Sequence, residues 1–381
     1  MYQFIQYPHE FANVLAQMSL QDTYALDSEF IKVDTLWPKL GVFQINLQEK
    51  AYLLDGVSLD FSLFWQKIKG AKQTIFHACS EDIDLIYHYA DIDYLSNVFD
   101  TQVAMAFLGY GLQVSYQNAL KQILNIEIEK DQTRSDWLAR PLTNEQLTYA
   151  ANDVEYLPAL AQALQKQLND KNILSYVLED CASLTKEIAT KTPAPDLYKD
   201  VANYRHSRRQ LMQIQQVTLW REQIVRALNV PRSFILKNAT IIDLVEKNPR
   251  NHFQLANIKG IRPNVIREHG KVILDLLKFL PEKEHWPQTI ARPIKFVSQH
   301  IAQELDATID KVVAQTQIPK PILMRKKWMN DLYHYVVLQQ DDISLLPSYL
   351  TGWRYSLLTQ PLLNLLQQDS QNLAQQMKIR K

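Results

Sequence analysis

No stretch of this 381-residue chain approaches the roughly 18 uninterrupted apolar residues that a membrane span requires. Residues 1–17 also lack the basic segment and apolar run of a secretory leader, so the expectation is a cytoplasmic protein. Cysteine is scarce. Cys79 and Cys181 stand far apart and form no CxxC pattern, which signals neither a disulfide framework nor a zinc site; both read as small apolar residues. Net charge is missing as well, with 41 Lys and Arg against 41 Asp and Glu. Taken alone, that balance argues against a nucleic-acid partner.

The average conceals a split. Residues 1–170 carry 11 basic against 22 acidic side chains, whereas residues 199–280 carry 15 against 6. An acidic front half therefore precedes a basic middle. Such asymmetry suits a cation-loaded acidic site served by a separate basic binding module, because phosphate backbones are held chiefly by Lys and Arg. A solvated surface of uneven charge explains it equally well until motifs are added.

The length fits two or three domains, and 46% hydrophobic with 22% charged residues is ordinary for a folded globular chain. The first 170 residues mix strand and helix signals: β-prone runs at 23–27, 41–47, 51–54, 74–77 and 97–99, with a polar turn at 48–50 making the second and third a hairpin. Beyond residue 170 apolar residues recur only at helical spacing. Thr192-Pro-Ala-Pro195 and the segment 281–287 read as linkers, and the Gln-rich tail from 367 as a frayed helix.

Three acidic clusters carry candidate chemistry. Asp27-Ser28-Glu29 closes the first strand, where residues two apart share a face, so both carboxylates can converge on a divalent cation, which favours oxygen ligands. Ser80-Glu81-Asp82 opens a helix after the fourth strand, at the edge where α/β sites gather. Ser80 as an N-cap and acids suited to the helix dipole explain that triplet structurally. Tyr149 and Asp153 lie four apart on one face of a helix starting near Thr143, whose Thr143-x-x-Gln146 spacing is that of a capping box. Each cluster alone is better explained by ordinary structure than by function.

Their order is more specific. D-x-E, then a first-turn Asp, then Tyr-x-x-x-Asp resembles the DEDD exonuclease superfamily in its tyrosine-bearing branch. Leu26-Asp-Ser-Glu-Phe30, Lys39-Leu-Gly-Val-Phe-Gln44, His77-Ala-Cys-Ser-Glu-Asp82, Asp100-Thr-Gln102, Arg134-Ser-Asp-Trp-Leu-Ala-Arg-Pro141 and Tyr149-Ala-Ala-Asn-Asp-Val154 narrow the resemblance to ribonuclease D. Ser28 and Ser135 stand where that family commonly has Thr; neither change removes a carboxylate. The resemblance implies an α/β, ribonuclease H-like exonuclease domain over 1–170, a mixed sheet flanked by helices. It also implies two divalent ions, Mg²⁺ or Mn²⁺, held by Asp27, Glu29, Asp82 and Asp153, with Tyr149 positioning the attacking water. The implied reaction is stepwise release of 5′-mononucleotides from RNA 3′ ends, tRNA precursors or other structured RNA being the suggested substrates.

Weaker candidates surround these. Gln44, polar within an apolar strand, and Arg134 and Arg140 are possible substrate contacts, as is Asp136; His77 reads more readily as structural. In the helical half, Leu219-Trp-Arg-Glu222, Asn229-Val-Pro-Arg-Ser-Phe-Ile-Leu236 and Ile258-Lys-Gly-Ile-Arg-Pro263 resemble an HRDC domain, expected over 199–282, with a second HRDC-like helical domain over 293–370. Arg232, Lys237, Lys259, Arg262 and Arg267 are candidate phosphate contacts, and Met324-Arg-Lys-Lys-Trp328 is a further basic patch. Two other readings remain open: a DNA-trimming exonuclease of the same superfamily, and a non-catalytic RNA-binding protein on a nuclease scaffold.

Overall fold

The structure, a computed structural model, describes residues 2–19, 21–90, 92–128, 135–294, 297–338 and 342–376. Six strands form one sheet: β1 (Tyr2–Ile5), β2 (Thr23–Ile31), β3 (Lys39–Leu47), β4 (Lys50–Asp55), β5 (Gln73–Phe76) and β6 (Val98–Asp100). Their order is β1-β4-β3-β2-β5-β6. The β2–β3–β4 meander is antiparallel, and β1, β5 and β6 join it in parallel. The sheet is therefore mixed, as expected, with one more strand than the sequence suggested. The hairpin turn is tight. Gln48 and Glu49 both adopt positive φ, 53° and 63°, the combination that matches the twist of the flanking strands.

Helices α1 (Pro8–Gln17), α2 (Ser62–Gly70), α3 (Ser80–Tyr89), α4 (Thr101–Leu108), α5 (Tyr116–Leu124), α6 (Asn144–Glu155), α7 (Leu157–Asp170) and α8 (Leu174–Ala189) accompany the sheet. The alternating side chains of β3 serve both faces. Phe43 points into an aromatic cluster, its ring 5.2 to 6.2 Å from those of Phe61, Phe64 and Trp65. Val42 points the other way, into a layer with Ala51, Leu53, Trp137, Ala150, Ala151 and Val154. The small Ala150 and Ala151 let α6 lie close on the sheet, and Asn46 Nδ2 ties the two by donating to the Val154 carbonyl at 3.1 Å.

Local signals fix the helix that matters most. Thr143 accepts from the Gln146 amide while the Gln146 side chain accepts from the Thr143 amide, the reciprocal pair of a capping box. Helix α3 begins differently. Ser80 is its first residue and no side chain caps it; the expected Ser80 cap is absent because the preceding loop is held another way. Ala78 sits at φ 62°, and its amide and that of Cys79 donate to the Asp100 carboxylate at 3.0 and 2.8 Å. Asp100 also caps α4. Cys79 and Cys181 are buried thiols, as expected.

The chain divides into two compact units. One comprises residues 1–31, 38–190 and 298–369, so the helices α14 (Gln299–Thr316), α15 (Lys320–Leu323), α16 (Lys326–Leu338) and α17 (Gln360–Gln368) group with the sheet. A buried ion pair marks this packing: Arg354, its side chain 2% exposed, reaches Asp180 of α8 with two bonds of 2.6 Å. The guanidinium lies over the rings of Trp328 and Trp353, at 4.9 and 4.2 Å from their centroids. Trp328, expected beside an exposed basic patch, is thereby buried.

The other unit holds residues 32–37 and 191–297, together with residues 370–376. It is helical: α9 (Arg208–Leu228), α10 (Arg232–Ile235), α11 (Asn238–Lys247), α12 (His252–Ala256) and α13 (Pro263–Lys278). Among the described residues beyond 170 there is no strand. A capping box at Ser207 and Gln210 starts α9, and Asn229 in the left-handed conformation ends it. The Asn229 side chain accepts from the amides of Leu36 and Trp37, both at 3.2 Å, which explains why 32–37 belongs here. The core is built on Leu211, Ile214, Val217 and Val225 of α9. Both expected linkers carry a 3-10 turn, at Ala194–Asp200 and at Lys283–His285.

Candidate active site

The end of β2 and the middle of α6 meet. Asp27 and Glu29 project from the sheet face that α6 covers, and Asp153 projects from α6 toward them. These three offer carboxylate oxygens within 4.8 Å of one another. Asp82 enters from the first turn of α3, and its carboxylate accepts a 2.5 Å hydrogen bond from Ser28 Oγ. Strand alternation turns Ser28 away from its two acidic neighbours, so the middle residue of the D-x-E triplet holds the fourth carboxylate. All four acids and Tyr149 line one cleft of roughly 310 Å³.

So many carboxylates in one half-buried place resist ionisation. Burial raises Asp27 well above the usual carboxylate range, and the charges of Asp82, Asp153 and Glu29 add to it. Burial, then Asp153 and Asp82, push Glu29 up to about 9. Asp153 rises to about 7 through burial and the Asp82 charge. Asp82 also reaches about 7; burial raises it, and the Ser28 hydrogen bond opposes that rise. Such a set wants positive charge. Its donors are all hard oxygens, which fits a divalent cation of the Mg²⁺ or Mn²⁺ kind.

A β-bulge pins the geometry. Glu29 pairs with Val42 but Phe30 pairs with Leu40, so Gly41 is the extra residue. A β-carbon there would lie 2.6 Å from the Trp137 carbonyl oxygen, which is why this position takes glycine. Arg140 locks the arrangement by donating to the carbonyls of Gly41 and Trp137 at 2.8 and 2.9 Å and by pairing with Asp55 at 2.5 Å. Burial of Asp55 opposes its ionisation, but hydrogen bonds from Arg140, Val57 and Ser58 outweigh it and hold the carboxyl below its usual value.

Comparisons with known proteins bear on this geometry. The 3′-5′ exonuclease family matches residues 2–169, and the HRDC domain matches residues 210–277. A ribonuclease D of Pseudomonas paraeruginosa is 30% identical over 357 residues, spanning 91% of this chain and 93% of its own. The chain belongs to the ribonuclease D family. The ribonuclease D of Haemophilus influenzae is likewise 30% identical, over 91% of this chain and 87% of its own. The crystal structure of Escherichia coli RNase D superposes with a TM-score of 0.88 at 25% identity, covering 97% of this chain and 99% of that one. The activity is accordingly that of a 3′→5′ exoribonuclease acting on RNA, in a family of divalent-metal enzymes. No helix among the described residues is long and apolar enough to cross a membrane.

Against this ribonuclease D frame the weaker candidates sort themselves. Arg140 does not face the cleft as a substrate contact; its guanidinium is spent on Asp55 and three carbonyls. Gln44 is fully buried beside Asp27, its cross-strand partner, and does not line the cleft. Arg134 lies outside the described residues. The Asp136 carboxylate accepts from the Leu138 amide and its carbonyl from Gln146, shaping the approach to α6. His77 lines the cleft, but both ring nitrogens are hydrogen-bonded, to Thr101 Oγ and the Val114 carbonyl.

In the helical unit Arg232 is exposed, yet it is committed to the buried Glu222 through bonds of 2.7 and 3.0 Å. Arg262 stacks on Phe234 at 4.5 Å, and Arg267 pairs with Glu268. Lys237 and Lys259 are exposed. The sequence reading missed Phe30, Tyr116, Gln117 and Leu157, which also line the cleft. Tyr116 is the most telling: it begins α5, and its hydroxyl donates to the Asn152 carbonyl at 3.3 Å, beside Asp153. Burial and the charges of Asp153 and Asp27 hold that phenol well above its usual range. Nothing in its spacing announced it, because α5 reaches the cleft only through the fold.

Proposed function

We propose that this chain trims structured RNA, tRNA precursors with 3′ extensions among them, releasing 5′-mononucleotides at a site that holds two divalent cations. The convergence of Asp27, Glu29 and Asp153 within 4.8 Å supports this reading most directly. These three and Asp82 would hold the cations, which when bound supply charge neutralisation and an activated water for in-line phosphoryl displacement.

The chain's own residues do the rest. Ser28 fixes the orientation of Asp82. Tyr149, one helical turn before Asp153 on the same face, would orient the attacking water by hydrogen bond. The ring of Trp137, 6.1 Å from that of Tyr149, packs behind it. Exposed cations of the HRDC domain, Lys237 and Lys259 foremost, would hold the RNA backbone without reading sequence.

The test uses RNA labelled at either end and matched DNA, incubated with Mg²⁺, with Mn²⁺ or with chelator. Stepwise loss from the RNA 3′ end, dependent on metal and abolished by Asp27→Asn, is the expected result. Equal activity in chelator or in the variant would overturn the assignment.

A further inference from the structure

Gln44 lies at the centre of β3, fully buried, and neither atom of its carboxamide has a hydrogen-bond partner. Its surroundings explain why that is costly. It shares a sheet face with Val42, and its register partner on β4 is Leu53; both belong to the apolar layer that Ala150 and Val154 of α6 complete. A buried amide in such a layer is ordinarily replaced by an apolar residue or given a partner. The same strand shows the second solution two residues later, where Asn46 donates to the Val154 carbonyl. The protein satisfies one of its two buried β3 amides and leaves the other open.

The position of the open one is specific. Gln44 is the direct cross-strand partner of Asp27, and such partners share a face with their β-carbons about 4.5–5.5 Å apart. A glutamine side chain spans that separation. Gln44 is shut off from the cleft that RNA would enter, so it reaches the reaction only through Asp27.

We infer that Gln44 is a positioning residue for the cation site: its Nε2 donates to the Asp27 carboxylate when that carboxylate holds a divalent cation, fixing the carboxylate's rotamer. This inference rests on the reading of Asp27 as a cation ligand. Residues that orient metal ligands from behind typically account for about 10–100-fold in metal affinity.

The experiment compares the whole 381-residue parent chain, Gln44→Leu, Gln44→Met and Asp27→Asn, all without RNA. Mn²⁺ binding is read by calorimetric titration, and thermal unfolding is read in chelator. Gln44→Leu is expected to unfold in chelator at the parent's temperature or above it, since it removes an unpaired amide, while its Mn²⁺ affinity falls about 10–100-fold. Should the leucine variant fold poorly, the unbranched methionine provides the same comparison. Parental Mn²⁺ affinity in a folded Gln44 variant would overturn the inference, as would a large loss of stability in chelator with affinity unchanged. If Asp27→Asn also bound Mn²⁺ as the parent does, the assignment of the site itself would fail, which separates the two ideas.

Discussion

The cleft and the HRDC unit handle charge in opposite ways. In the cleft, three carboxylates stand within 4.8 Å of one another and a fourth is held nearby by a serine, an arrangement unfavourable until something positive arrives. In the helical unit cations outnumber acids, yet several are already engaged: Arg232 and Arg226 on Glu222, Arg221 on the Leu236 carbonyl and Asn238, Arg262 on a phenyl ring. Concentrated, unsatisfied charge marks a place for chemistry. Dispersed and partly paired charge suits the holding role proposed for this unit, in which single residues would matter little.

This contrast can be broken most forcefully at Asp27. Replacing Asp27 by Asn should lower the single-turnover rate by roughly a thousandfold or more, the equivalent of several kcal/mol of transition-state stabilisation; a loss under tenfold would equate the cleft with an ordinary acidic surface. Tyr149→Phe should cost about 10²–10⁴-fold in rate while leaving Mn²⁺ affinity at the parental value, measured by titration. Arg140→Ala should destabilise the fold by about 3–5 kcal/mol in urea, because it strands the buried Asp55 charge. A substrate contact would instead raise KM and spare stability.

Acidity offers a gentler lever. Folded-state values of about 7 for Asp82 and Asp153 and about 9 for Glu29 exceed the roughly 4 of an unfolded carboxylate. The folded, cation-free protein therefore binds these protons more tightly than the unfolded chain. Their contribution to stability is complete below about pH 4 and disappears as pH rises through 7 toward 9. Scanning calorimetry in chelator should show the unfolding midpoint falling over that window, and Mn²⁺ should restore it most at the alkaline end. A midpoint that rises across the window in chelator would contradict the crowded-carboxylate picture.

The smallest effects belong to the helical unit. Lys259→Ala should weaken RNA binding modestly and reduce the slope of log affinity against log salt by about one. Arg232→Ala should move that slope less, since Glu222 already occupies its charge. Equal slopes for the two would show that pairing in the free protein does not decide which cations meet RNA.

Much of this was legible in the amino-acid order. The acidic clusters could be found because D-x-E, a first-turn Asp and Tyr-x-x-x-Asp each follow the period of the element that carries them. The capping box of α6 could be found because its two partners are three residues apart. What escaped depended on distant partners. β1 went unread because four residues on a sheet edge leave little pattern, and its pairing with β4 lies nearly fifty residues away. Arg140 looked like a substrate contact because Asp55 is 85 positions distant. Ser80 looked like a cap because the Asp100 carboxylate that holds the loop before it lies on another strand.

The bulge at Gly41 carries a last consequence, for tolerance to insertion and deletion. It places one surplus residue just past Glu29, so the pairing that sets Asp27 against Gln44 and Glu29 against Val42 is settled inside the sheet rather than inherited from the loop before it. The length of the segment 32–37 is thereby uncoupled from the aim of the carboxylates. A change in that loop's length would leave the aim of the carboxylates intact, whereas one residue gained or lost between Gly41 and the Gln48–Glu49 turn would turn Gln44 and its neighbours to the wrong face.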